Sequence, residues 1–171
     1  ERITKVADEI AAQMGAERIG TCEIQDTGRP FYGVYYGQAA LPHAPERLFY
    51  LDNAVIRGLQ VYNVETQSDI PVYDLGAAAG RDPYEMFLGG ARSIIKITNP
   101  NAAQERRLIV FRDSFGSSIA PLLAAGYSEI TLVDIRYISP LSLGKLIDFT
   151  KADDVLFLYS ASVINNSETI R

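Results

Sequence analysis

Between Arg106 and Ser160 the chain alternates short apolar runs with segments of helical period, and no other feature limits its possible folds so strongly. RRLIVF, EITLVDI and DVLFLY are apolar runs of strand length. SSIAPLLAAGY and PLSLGKLIDF place their apolar residues at helical spacing. Strands separated by single helices of this size are joined most simply as parallel neighbours through right-handed crossovers. Residues 106–160 are therefore predicted to form a β-α-β-α-β unit in an α/β fold, a parallel sheet with helices on both faces.

The remainder is read around that unit. Ile3, Val6, Ile10 and Met14 recur at three- and four-residue intervals and Gly15 follows as a stop, which predicts an amphipathic opening helix. From Gly20 to Leu75 the texture changes to β-branched and aromatic stretches broken by Gly, Pro and Asp-Asn. Strands are predicted at TCEIQ, FYGVYYG, RLFYL, LQVYNVE and PVYDL, making residues 20–75 a β-rich, tyrosine-containing insertion within one domain spanning 1–171. Tyr32, Tyr35, Tyr36, Tyr50, Tyr62 and Tyr73 can pack by ring and bond by hydroxyl. They are read chiefly as core and strand-surface residues, with a sugar-stacking platform as the functional alternative. DPYEMFLGGARS is predicted to be a short helix running into a glycine turn, and SIIKIT a strand ended by Asn99-Pro100.

Composition narrows the partners. A net charge of -5 with no Lys/Arg-rich run argues against nucleic acid, which is bound through clustered cations. The lone Cys22 excludes an intrachain disulfide and a multi-cysteine zinc site, and no metal or cofactor is expected. The first residue is Glu1 rather than Met, and there is no apolar run of about 18 residues. We expect a longer protein trimmed at its amino end.

Reactive groups in an open α/β sheet gather at the carboxyl ends of its strands. Ser114 lies there, just after LIVF and just before the helix begun by Phe115-Gly116-Ser117-Ser118. A serine nucleophile needs a base to take its proton and donors for the oxyanion. Backbone amides around Ser114 and Phe115 are candidate donors, and Gly89-Gly90 would let a second amide approach. The competing reading is that Asp113 or Ser114 simply caps the helix. The sole histidine, His43 in LPHAP, lacks a recognisable acidic partner and is read as a surface residue.

FRDSFGSS, followed by EITLVDIRY, resembles the serine block and next strand of the bacterial DHHW family. That family belongs to the SGNH/GDSL-like hydrolases and is related to proteins that O-acetylate alginate. FYGVYYG and DPYEMFLGG resemble two further segments of it, in order, so the likeness runs from Phe31 to Tyr159. It implies an SGNH-like three-layer fold with Ser114 as nucleophile, Asp113 stabilising the turn, and Gly89 and Gly90 forming an oxyanion or substrate loop. Arg136 and Tyr137 would face the same crevice, unless Arg136 pairs with Asp134. Arg112 stands where GDS-type blocks have glycine; it would pair with a carboxylate, polarise a substrate carbonyl or face solvent. Asn99 either echoes the group's asparagine donor or is a turn residue before Pro100.

The family's Asp-His-His-Trp motif, which would supply the acid and base, does not occur in the 171 residues. Either the chain begins downstream of it, or this is a divergent member without the pair. The expected function is a serine esterase or O-acyltransferase acting on acetyl esters of a cell-envelope or extracellular polysaccharide. Its partners would be an acetylated glycan and a membrane-bound acyltransferase, in an extracytoplasmic setting, anchored or secreted. The alternative is a non-catalytic carbohydrate- or partner-binding domain on the same fold. A nucleotide-binding domain is set aside, since no Gly-x-Gly-x-x-Gly or Walker loop follows a strand.

Overall fold

The structure, a computed structural model, describes residues 2–33 and 44–166. His43, Tyr35, Tyr36 and most of FYGVYYG lie outside the described residues. The opening helix is α1 (Arg2–Gln13). It is followed by β1 (Glu23–Phe31), β2 (Glu46–Asp52), α2 (Ala54–Arg57), β3 (Gln60–Asn63), β4 (Ser68–Ile70) and β5 (Ile94–Thr98). The last third is β6 (Arg107–Arg112), α3 (Gly116–Leu123), β7 (Glu129–Val133), α4 (Pro140–Leu146), β8 (Asp154–Leu158) and α5 (Ala161–Asn165). The predicted β-α-β-α-β unit is thus present.

The main sheet has the order β4-β3-β5-β7-β6-β8. β6 pairs in parallel with β7 on one side and β8 on the other. The expectation of a parallel sheet fails beyond these three, because β5 runs antiparallel to β7, and β3 antiparallel to β5 and β4. The connections explain the difference. The link from β5 to β6 contains no crossover helix, and a chain without one returns in the opposite direction.

Among the described residues of the predicted insertion, β1 and β2 form a separate two-stranded sheet, whereas β3 and β4 extend the main one. PVYDL is not a strand: Pro71 has no N–H to give, and Tyr73 makes a single isolated bridge with Phe87. DPYEMFLGG contains one 3₁₀ turn, Pro83–Met86, capped by the Asp82 carboxylate.

Successive strand residues face opposite sides of the sheet and enter two cores. Ile95 and Ile97 of β5, Leu108 and Val110 of β6, and Ile130 and Leu132 of β7 pack with Ala7 of α1 and Ile119, Leu122 and Leu123 of α3. Ile94, Ile109 and Val133 pack on the other side with Leu143 of α4 and Ile147. Tyr50 and Tyr73 belong to a third, smaller core around Phe87, with ring centroids 4.9 Å apart for Tyr50–Tyr73 and 5.7 Å for Tyr73–Phe87. Those two tyrosines are packing residues, while Tyr32 and Tyr62 are exposed.

Candidate active site

β6, β7 and β8 end at one edge of the sheet, and antiparallel β5 begins there. Backbone bonds lace the edge together: Asp113 N–H donates to the Leu158 carbonyl at 3.3 Å, and Asp134 N–H to the Ser93 carbonyl at 2.8 Å. Ser114 sits on this edge, exposed, between the end of β6 and the start of α3.

The turn is held from beneath by Asp113, which is 1% exposed. One carboxylate oxygen accepts from Phe115 N–H at 3.0 Å, and the other from Ser160 N–H, after β8, at 2.7 Å. Gly116 N–H donates to the Asp113 carbonyl at 3.1 Å and Ser117 N–H to the Ser114 carbonyl at 3.1 Å. Of the two residues considered as caps, Asp113 takes an amide of the turn, while α3 itself, with Phe115 at its N-cap, has no side-chain cap bond. Among the described residues, the Ser114 hydroxyl has no hydrogen-bond partner, and neither does its N–H. The other two serines of the block are occupied. Ser117 is buried and accepts from Arg112, while the Ser118 hydroxyl accepts from Tyr84 at 2.8 Å and donates to the Phe115 carbonyl at 3.1 Å.

Two of the expected oxyanion donors are already used. Phe115 N–H is committed to Asp113, although its ring is 57% exposed, and Gly90 N–H donates to the Phe87 carbonyl at 3.1 Å. Gly89 N–H, like that of Ser114, has no acceptor among the described residues. Leu88, Gly89 and Gly90 have φ of 53°, 69° and 77°, the left-handed region that glycine enters without steric cost. At Gly90 a Cβ would also lie 2.9 Å from Glu85 Cγ. This loop is fastened to the serine block by the Tyr84 hydroxyl on Ser118, and burial pushes the Tyr84 phenol above its usual range.

Arg112 does not face solvent or a substrate carbonyl. It is 1% exposed, and Nη1 donates to Ser117 Oγ at 3.0 Å while Nη2 donates to the Arg92 carbonyl at 3.3 Å. Its nearest carboxylate is Asp134, at 4.0 Å. Burial pulls the guanidinium below the usual arginine range, against the opposing influence of Asp134. Asp134, 0% exposed, is the hub of the cluster. Arg136 binds it through two parallel bonds, Nε at 2.9 Å and Nη2 at 2.7 Å, and that hydrogen bonding raises the Arg136 pKa. The ion-pair reading of Arg136 thus holds, with its guanidinium 5.5 Å from the centroid of Tyr137, an exposed ring on the same sheet edge.

Sequence reasoning passed over Tyr159, whose buried hydroxyl has no partner among the described residues and whose pKa is raised, first by burial and then by Asp134. Its place directly after an apolar strand was the available signal. Asn99 lies at the other end of β5, where its amide donates to the Ala124 carbonyl at 2.8 Å and its oxygen accepts from Asn101 N–H at 3.0 Å; it is a turn residue. A cavity of about 270 Å³ lined by Lys96, Arg107, Ile109, Glu129 and Thr131 lies toward the amino ends of β6 and β7, away from Ser114.

No family model and no curated protein matches the sequence. Solved structures do. A DHHW family protein from Eubacterium siraeum DSM 15702 aligns with a TM-score of 0.70 at 22% identity, over 98% of this chain and 58% of that one. Bacillus cereus PatB1 aligns in two structures. The one with a sulfonyl adduct has a TM-score of 0.69 at 21% identity, over 95% of this chain and 56% of that one. The other has a TM-score of 0.66 at 20% identity, over 94% and 57%. The chain thus spans less than two thirds of the length of these proteins. At such identities the likeness is one of fold, and in its mixed α/β architecture this chain is similar to a protein of the DHHW family.

Proposed function

We propose that the chain is the serine-bearing part of an SGNH-type esterase or O-acyltransferase, with a three-layer arrangement about its sheet, that acts on acetyl esters of a cell-envelope or extracellular polysaccharide. The observation that carries this reading is Ser114: an exposed, unbonded hydroxyl on a turn pinned by a buried aspartate, beside an N–H with no acceptor among the described residues. The sulfonyl adduct of PatB1 supports it, since an adduct of that kind forms on an activated nucleophile.

In the proposed reaction Ser114 Oγ attacks the ester carbonyl and its proton passes to a base. The oxyanion accepts from the Ser114 and Gly89 N–H groups. Collapse expels the sugar oxygen, which takes the proton back and leaves acetyl-serine. Water or a second sugar hydroxyl then accepts the acetyl group. The acid and base are assigned to an Asp-His-His-Trp element, which the 171 residues do not contain. An extracytoplasmic location and a membrane-bound acyltransferase partner belong to the same proposal.

Release of acetate from an O-acetylated polysaccharide by the complete gene product tests it. Ser114→Ala is expected to lower the rate by about a thousandfold or more, as loss of a nucleophile does. Undiminished release by that variant would overturn the assignment. Glycan binding without acetate release by the unsubstituted protein would favour the non-catalytic binding domain, the reading that the missing motif supports.

A further inference from the structure

We infer that Arg112 is a positioning residue for Ser114, holding the serine turn and the glycine-rich loop in one geometry; the inference rests on the nucleophile reading proposed above. A buried arginine is costly unless its donors are bonded and its charge is matched. Arg112 meets this through its two Nη atoms, which join the serine block to two other segments, while its buried Nε has no partner among the described residues. Nη1 reaches Ser117 Oγ in the first turn of α3 at 3.0 Å and the Asp113 carbonyl at 3.4 Å. Nη2 reaches the Arg92 carbonyl, two residues beyond Gly90, at 3.3 Å, and Asp134 after β7 lies at 4.0 Å.

Ser114 is therefore flanked by two residues, Asp113 and Ser117, that share one guanidinium. The stem of Arg112 fills the space over the turn. A Cβ at Gly116 would lie 2.5 Å from Arg112 Cβ and 2.9 Å from its Cγ, so the close approach of the Arg112 stem to α3 leaves no room for a side chain at 116. Only a planar fork with donors on two nitrogens spans these acceptors; the point charge of lysine does not. Attack by a serine hydroxyl depends steeply on its placement, and a displacement of about 1 Å can cost about a hundredfold in rate. Position 112 thus acts on the chemistry without touching the substrate.

The test compares the complete gene product with Arg112→Lys and Ser117→Ala. Three things are measured: the rate of labelling by a fluorophosphonate, thermal unfolding, and amide hydrogen exchange over residues 89–93 and 113–118. At temperatures where each protein is folded, Arg112→Lys is expected to label about tenfold to a hundredfold more slowly, with faster exchange in both segments. Ser117→Ala, which removes one acceptor, is expected to slow labelling by a smaller factor. A folded Arg112→Lys protein that labels at the original rate, with only its unfolding temperature lowered, would reduce Arg112 to a structural role and overturn the inference. If Arg112→Lys does not fold, unchanged labelling and exchange in Ser117→Ala overturn it instead. If the unsubstituted protein itself resists labelling, the nucleophile reading fails. The exchange data then decide Arg112 separately, with unchanged protection in both segments counting against it.

Discussion

Replacing Asp134 with asparagine is expected to destabilise the fold by about 3–5 kcal/mol, the usual consequence of removing one partner from a buried ion pair. The size follows from what is left behind. Arg136, a quarter exposed, keeps one bond to the remaining oxygen and can turn its other donor toward water. Arg112 cannot, because it is 1% exposed and Asp134 is its nearest carboxylate. Its charge would remain buried with only neutral acceptors around it. In a chain of this length such a loss lowers the unfolding temperature by about 10 °C. Equilibrium urea unfolding checks it, and a change below about 1 kcal/mol, the range of exposed ion pairs, would show that Asp134 is not the hub.

Asp113→Ala is the second large effect. The carboxylate accepts two backbone N–H groups from different connections, Phe115 before α3 and Ser160 after β8, and so ties the serine turn to the neighbouring strand end. Bonds from backbone amides to a buried carboxylate contribute about 1.5–3 kcal/mol each, and removing the acceptor leaves both donors poorly placed for water. A loss of about 3 kcal/mol or more is expected in denaturant unfolding. Asp113→Asn keeps one oxygen acceptor and is expected to lose less. The functional consequence is separate: with its pin removed, the turn at Ser114 is expected to label more slowly even where the variant is folded. Labelling at the original rate would mean that the turn holds its shape without Asp113.

The parts of this arrangement that were legible in the sequence are those fixed by local pattern. β6 and β7 are short apolar runs buried in the sheet, β8 is an equally apolar run at its edge, and the intervening helices show their period, so the unit that carries Ser114 could be placed. The antiparallel half was not legible. Whether SIIKIT pairs with β6 or β7, and in which direction, depends on the connection after Asn99 and on register across the sheet, not on the composition of the run. PVYDL has the composition of a strand, yet Pro71 and a single bridge at Tyr73 leave it outside any sheet.

At the site the same division holds. An exposed serine at a strand end is a positional inference and was reached. The burial of Arg112 was not, because an arginine is expected at the surface and the compensation here is spread over Ser117, Arg92, Asp113 and Asp134. The paired use of Phe115 and Gly90 amides was equally hidden, since every non-proline residue carries the same N–H in sequence. One local clue was present: Gly116, four residues after Arg112, leaves the space that the arginine stem fills.

The most direct test of the central claim is the site of covalent capture. The complete gene product is treated with a fluorophosphonate, digested, and the adduct located by mass spectrometry. A single adduct on Ser114, absent from Ser114→Ala, is the predicted result. An adduct on Ser117, Ser118 or Ser160, or equal labelling of the Ser114→Ala variant, would contradict it.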